Sequence, residues 1–134
     1  CLCEGDAALQ ANPLTVEDYA RYAAMNDRFH ALILEASGNR ALQHAIRLND
    51  KLPFAPASAM LPMQGALEID RDWMLYAHRQ HHMLFDALKS GEGSRAQSLA
   101  EEHTQVAQMN LRQALERRSE SERAMPAMRL VVGK

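Results

Sequence analysis

Histidine is the side chain in this sequence with the clearest chemical potential, because neutral imidazole is the commonest metal ligand in proteins. The chain has 134 residues, and six of them are histidines. Three of these, His30, His81 and His103, each interrupt a stripe of apolar residues at helical spacing. Asn26 lies on the same helix face as His30, one turn earlier.

These four polar side chains need partners if the apolar stripes around them are buried. A buried polar group without a partner costs roughly 2–7 kcal/mol, and a small domain is stable by only about 5–15 kcal/mol. We therefore expect the three imidazoles and the amide oxygen of Asn26 to converge on one metal ion. Three nitrogens and one oxygen suit Zn²⁺, Ni²⁺ or a similar late divalent ion.

The other histidines have simpler interpretations. His44 interrupts no apolar stripe, so we predict that it lies on the surface. His78 and His82 form an i, i+4 pair that could chelate a metal on their own helix, but Met74 and Phe85 share their face and favour partial burial at an interface. A lone buried histidine is more often a hydrogen-bonded core residue than a ligand. The metal hypothesis therefore depends on three separate helices that each contribute one histidine.

Capping residues and turn glycines predict four helices and no strands. Two of the turns, at Ser37-Gly38 and at residues 90–93, are short, which favours antiparallel neighbours in an all-α helical bundle. Residues 53–68 are predicted to be an apolar loop that folds over the bundle. The predicted helices follow the caps Thr15, Asn39, Asp70 and Ser94 and end near Ala36, Lys51, Lys89 and Arg118, in that order.

The composition predicts one cytoplasmic domain that does not bind nucleic acid by itself. The net charge is −2, and phosphate contacts need a clustered surplus of Lys and Arg. No apolar run reaches the roughly 20 residues of a membrane span, and Cys1 and Cys3 are too close to pair, which favours a reducing compartment. We predict a lead-in over residues 1–14 that remains from a preceding segment, a helical domain over 15–118 and a tail over 119–134.

Two blocks of the sequence carry a family resemblance. The first is Asn26-Asp27-Arg28-Phe29-His30-Ala31-Leu32-Ile33, continued by residues 36–42, and the second is residues 81–88 followed by Gly91 and a helix with His103. Together they resemble the FCD domain, the C-terminal effector-binding domain of FadR-type regulators in the GntR family. The resemblance covers roughly residues 15–115. Residues 52–59 are more weakly similar to vanillate-type regulators of aromatic-acid catabolism.

The resemblance implies a helical bundle that binds a small effector and forms dimers. Members with this histidine set hold a divalent metal through an Asp or Asn and three His, which match Asn26, His30, His81 and His103. Asp is also common at the first position. A neutral Asn leaves more positive charge on the metal, which favours an anionic effector. Asp27 is offset by about 100° on the helix and is a poorer ligand candidate.

Members of the family also carry an N-terminal winged helix–turn–helix domain and an opening effector-domain helix. We expect residues 1–14 to supply neither, so the chain is predicted to be a fragment that acts on DNA only through a missing N-terminal domain. The expected function is the sensing and dimerisation domain of a bacterial regulator, not an enzyme. It would bind a small carboxylate, aromatic acids included, with Arg47 or Lys51 as a second anion contact.

Two other functions fit the same residues. A metal-dependent hydrolase would use the three histidines to activate water, but it needs a general base beside the metal. The candidate bases, Asp27 and Glu102, lie off the predicted ligand faces. The third possibility is a helical interaction domain without metal, in which the histidines are satisfied by one another or by water.

Overall fold

The computed structural model describes residues 1–51 and 67–124, and their regular structure is entirely helical. The prediction of an all-α bundle is confirmed. The helices are α1 (Leu2–Ala8), α2 (Val16–Ala36), α3 (Arg40–Asn49), α4 (Leu67–Lys89) and α5 (Gly93–Ala124). Helix α1 packs against α2 and α4, α4 packs against α5, and α3 packs against α2.

The first two predicted helices begin at the residues that the capping pattern indicates. Thr15 and Asp18 form a reciprocal capping box at the start of α2, and hydrogen bonds from Thr15 lower the pKa of Asp18 to about 2. Asn39 accepts a hydrogen bond from the backbone of Leu42 at the start of α3. Between them, Gly38 has φ +62°, a conformation that glycine adopts without steric cost.

The last two helices are longer than predicted. Helix α4 begins three residues before the predicted cap at Asp70, and α5 begins at Gly93 and continues to Ala124 instead of ending near Arg118. The charged stretch that we assigned to a tail contains good helix formers, and the next proline in the sequence is Pro126. The predicted loop over residues 53–68 and the end of the predicted tail lie almost entirely outside the described residues.

Residues 1–14 differ most from the prediction of an irregular lead-in. Residues 2–8 form a helix, and Ala8, Leu9 and Leu14 are buried in the core. Arg71 of α4 donates hydrogen bonds to the backbone carbonyls of Leu9 and Ala11, at 3.1 and 3.0 Å. A helix of seven residues is too short to be stable alone, and packing against two longer helices stabilises it. The expectation that this segment adds no helix to the bundle is therefore wrong.

Helix α1 also changes which faces of α2 and α4 are buried. In α2, Val16 is 79% exposed although it is apolar, whereas Tyr22, Met25 and Phe29 are buried. In α4 the core contains Met74. The buried faces turn toward α1, a packing partner that the pattern along each long helix cannot reveal. In α5, Ala96, Leu99 and Val106 are buried and His103 is half-buried.

The described helices also bear on the prediction that the chain has no membrane span. None of the helices in residues 1–51 and 67–124 combines the length and the apolar character needed to cross a bilayer.

Candidate metal centre

Three helices bring His30, His81 and His103 together. One ring nitrogen from each lies within 4.8 Å of the corresponding nitrogens of the other two. The Nε2 atoms of His81 and His103 are 3.1 Å apart. We call these three residues the buried cluster. These are the three histidines that interrupt the apolar stripes of the sequence.

The position of His81 is defined by packing from α2 and α5. Its side chain has no solvent exposure, and its ring lies 4.5 Å from the ring of Phe29, centroid to centroid. The rings of His30 and His103 are 5.3 and 4.6 Å away. His30 and His103 are only half-buried, so the cluster is closed on the His81 side and open to solvent on the other.

Hydrogen bonds on the far side of His81 determine where its proton lies. Nε2 of His78 faces two acceptors, the backbone oxygen of Leu2 and Oδ1 of Asp6, both at 3.2 Å. We therefore assign the proton of His78 to Nε2, which leaves Nδ1 as an acceptor. Nδ1 of His81 lies 3.4 Å from Nδ1 of His78 and donates a hydrogen bond to it. Nε2 of His81 is then unprotonated and carries a lone pair.

The same reasoning applies to His103. Its Nδ1 lies 3.0 Å from Oε1 of Gln80 and donates to it, so its Nε2 is also unprotonated. Two lone pairs consequently face each other across 3.1 Å at the centre of the buried cluster. Such a contact is unfavourable unless a proton or a metal ion lies between the nitrogens.

Burial keeps the cluster neutral. Desolvation lowers the pKa of His81 to about 2 and that of His103 to about 4, with neighbouring imidazoles adding to both shifts, and it also lowers the pKa of His30. Neutral imidazole is the form that binds metal. In a tetrahedral zinc site with bonds of about 2.0–2.1 Å, neighbouring ligand nitrogens lie about 3.3 Å apart. The donor types, their protonation and their spacing all fit a late divalent ion.

The remaining predicted site residues have different surroundings. Asn26 is 4% exposed and lies one turn before His30 on α2; its role as the oxygen ligand stays a prediction. Arg47 and Lys51 are exposed, at the end of α3 and just after it. Among the described helices α3 contacts α2 alone, so the assignment of these two cations to an effector also stays a prediction. His44 is exposed on α3, as expected.

The two candidate general bases do not strengthen the hydrolase alternative. Oε1 of Glu102 accepts a hydrogen bond from the hydroxyl of Tyr76, at 2.9 Å and on the exposed side of α5. Asp27 is exposed, and its negative charge acts on His30 by raising the pKa of that imidazole against the larger effect of desolvation.

An open cavity of about 620 Å³ lies between α4 and α5 and was not predicted from the sequence. Trp73, Val106 and Met109 form apolar parts of its wall, while Asp72 and Glu102 add two carboxylates. Those carboxylates would repel an anion, so this cavity does not suit the charged end of a carboxylate ligand. The side of the buried cluster at His30 and His103 suits it better.

Comparison with known proteins gives one match. A family model described as FCD domain matches residues 4–106, a range that contains the whole buried cluster and most of α1. No curated protein matches the chain. No solved structure matches it either.

Proposed function

The chain belongs to the family of FCD domains, the ligand-sensing regulatory domains of GntR-type transcription regulators, and we propose that it senses a small carboxylate through a divalent metal. The metal would be Zn²⁺ or Ni²⁺, held by Asn26, His30, His81 and His103. The observation that carries this proposal is the 3.1 Å separation of Nε2 of His81 and Nε2 of His103, both of which we assign as unprotonated from the hydrogen bonds of their Nδ1 atoms.

The charge of the proposed ligand set favours an anionic effector. Three imidazoles and one amide are all neutral, so they leave the double positive charge of the ion uncompensated in surroundings of low dielectric. When bound, the metal supplies a Lewis acid that a carboxylate can join in an open coordination position. Because His30 and His103 are half-buried and His81 is not exposed, the acid would approach on the His30 and His103 side.

Regulation would follow from a change in how the helices pack. The buried cluster joins α2, α4 and α5, so a ligand that alters the spacing of its three imidazoles acts on all three helices. It shifts the domain between two arrangements only if it binds one of them more tightly. We propose that this shift is transmitted through a homodimer to DNA-binding domains elsewhere in a cytoplasmic regulator. Arg47 and Lys51 are the proposed second contacts for the acid.

The first test is the metal content of untagged protein and its response to carboxylates. We expect the wild type to hold about one equivalent more zinc or nickel than His103→Gln, and the control His44→Gln, which changes an exposed histidine on α3, to hold as much as the wild type. Benzoate and succinate, as aromatic and aliphatic probes, should raise the melting temperature of the wild type but not of His103→Gln. Benzyl alcohol, which has no carboxylate, should have no effect.

Two outcomes would reject the proposal. If the protein binds neither ion when supplied with zinc or nickel, the proposed metal site does not exist. If benzoate or succinate stabilises His103→Gln or the chelator-treated protein as much as the wild type, carboxylate binding does not require the buried cluster.

A further inference from the structure

A second group of potential ligands lies where α1 meets α4. It consists of Asp6 of α1 with His78 and His82 of α4, which we call the outer cluster. Nε2 of His82 lies 3.0 Å from Oδ1 of Asp6, and Nε2 of His78 lies 3.2 Å from the same oxygen. No residue of the buried cluster belongs to it, and the proposed function assigns it no ligand role.

We propose that the outer cluster is a second binding site for a divalent cation such as Zn²⁺. Two histidines at i and i+4 share one helix face, and a carboxylate from another helix completes three ligands, with the fourth position open to solvent. The observed separations of 3.0 and 3.2 Å are close to the roughly 3.3 Å between ligand atoms of a tetrahedral zinc site. Unlike the proposed ligands of the buried cluster, this set includes a negative charge.

The burial of His78 supports a built site rather than a chance surface contact. The side chain of His78 is 4% exposed, while those of Asp6 and His82 are 48% and 42% exposed. Gly5 allows α1 to come this close, because a Cβ there would lie 2.7 Å from Nε2 of His78. One ligand is therefore held rigidly in the core, and the other two reach it from the surface with room for solvent beside them.

The two clusters are connected by the hydrogen bond between Nδ1 of His78 and Nδ1 of His81. In the tautomers assigned above, His81 donates and His78 accepts. A cation bound to Nε2 of His78 occupies the lone pair of that nitrogen, so the proton of this neutral imidazole must be on Nδ1 instead. His78 then donates to Nδ1 of His81, and the proton of His81 must be on Nε2. One proton leaves Nε2 of His78 and one is gained at Nε2 of His81, so neither net charge changes.

Because of this tautomer shift, a cation in one site lowers the affinity of the other site for its cation. With a proton on Nε2, His81 has no lone pair to offer to the buried cluster. Occupation of the outer cluster should therefore weaken metal binding in the buried cluster, and by thermodynamic reciprocity the converse also holds. The opposition depends on the proposed function, because it needs a metal in the buried cluster, whereas the outer site itself does not.

Calorimetric titration of untagged, metal-free protein with zinc alone tests both parts. At saturation we expect two zinc ions per chain in the wild type and one in His82→Gln or Asp6→Asn, whose side chains are exposed enough to be changed without unfolding the core. The control Asp86→Asn, an exposed acid on the same helix, should still bind two. His103→Gln should bind one, and His103→Gln combined with His82→Gln should bind none.

The outer site is overturned if His82→Gln and Asp6→Asn bind as much zinc as the wild type. The opposition predicts that the outer cluster binds zinc at least about tenfold more tightly in His103→Gln than as the second step in the wild type; equal affinities would overturn it. The proposed function fails separately if His103→Gln binds as many ions as the wild type while His82→Gln binds none. Circular dichroism establishes that each variant keeps its helices.

Discussion

At the scale of single residues, each ring nitrogen of His81 faces a neighbouring imidazole. Nδ1 is paired with His78 and Nε2 faces His103. The contact with His78 satisfies Nδ1, whereas Nε2 meets the unprotonated Nε2 of His103 and needs a proton or a metal ion between the two nitrogens. A buried histidine of this kind is prepared for a ligand before the ligand arrives, since its tautomer and orientation are already set.

Gln80 has the corresponding role for His103. Its Oε1 accepts from Nδ1 of His103 at 3.0 Å, and its side chain is 4% exposed. Its Nε2 is buried and has no hydrogen-bond partner among the described residues. An unpaired buried donor costs about 1–3 kcal/mol, so Gln80 contributes to the site at the expense of stability. Sequence patterns gave no reason to select it, because glutamine is common on helices.

Gln80→Leu should therefore weaken zinc binding more than it weakens the fold. Loss of the acceptor frees the tautomer and ring orientation of His103, and loss of such an outer partner typically costs 10–100-fold in metal affinity. The unfolding free energy should change little, since the orphaned amide nitrogen disappears as well. Competition with a coloured chelator measures the affinity, with Gln97→Leu, an exposed position on α5, as control. Equal affinities in the two variants would contradict the role of Gln80.

At the scale of elements, α1 is the segment whose contribution was least expected. It is seven residues long, yet it packs against both α2 and α4 and contributes Gly5 and Ala8 to the buried interior. Gly5 permits the closest approach. A Cβ at this position would overlap Cε1 of His78 and lie 2.6 Å from Cε of Met25. The absence of a side chain at one residue thus determines how near two helices can come.

Gly5→Ala should destabilise the protein although alanine favours helices. The steric cost of inserting a methyl group into a packed contact is about 1–3 kcal/mol. Because three atoms would lie within 3.0 Å of the new Cβ, we expect a cost near the upper end, above the gain of about 1 kcal/mol in helix propensity. Gly93→Ala is the matched control, since nothing lies within 4 Å of a Cβ there; it should be neutral or slightly stabilising. Urea unfolding of both variants provides the comparison. A Gly5→Ala protein as stable as Gly93→Ala would show that α1 is not packed in this way.

At the scale of the whole molecule, the buried histidines couple folding to pH. The pKa of His81 is about 2 and that of His103 about 4 in the folded protein, both below the ordinary value of 6.5 because burial disfavours the charged form. Between pH 6.5 and 4 the unfolded chain takes up protons at these two residues and the folded chain does not. Stability of the metal-free protein must therefore fall as the pH falls through this window, and be restored as the pH rises.

The expected loss is about 3 kcal/mol from these two imidazoles between pH 7.5 and 5.5, since each contributes about 1.4 kcal/mol at one pH unit below its unfolded pKa. Urea unfolding of metal-free protein at the two pH values measures it. His103→Gln should lose about half of this dependence, and His44→Gln should retain it. A dependence that is the same in the wild type and in His103→Gln would mean that His103 is not held neutral by burial.

Local patterns were enough to predict much of this protein. Capping residues and glycines indicated the starts of α2 and α3, because caps act within a few residues. Histidines inside apolar stripes selected His30, His81 and His103, because an imidazole in a buried stripe needs a partner wherever the stripe is packed. Neither inference requires knowledge of which helix lies next to which.

Tertiary structure decided what depends on distant neighbours. Residues 2–8 are helical because α2 and α4 cover them, and the buried faces of those helices turn toward α1 as a result. The roles of Gln80 and Asp6 follow from side chains that meet across 23 and 76 positions of the chain. Local spacing specifies helices and their polar interruptions, but hydrogen-bond partners, tautomers and close approaches exist only once the helices are packed.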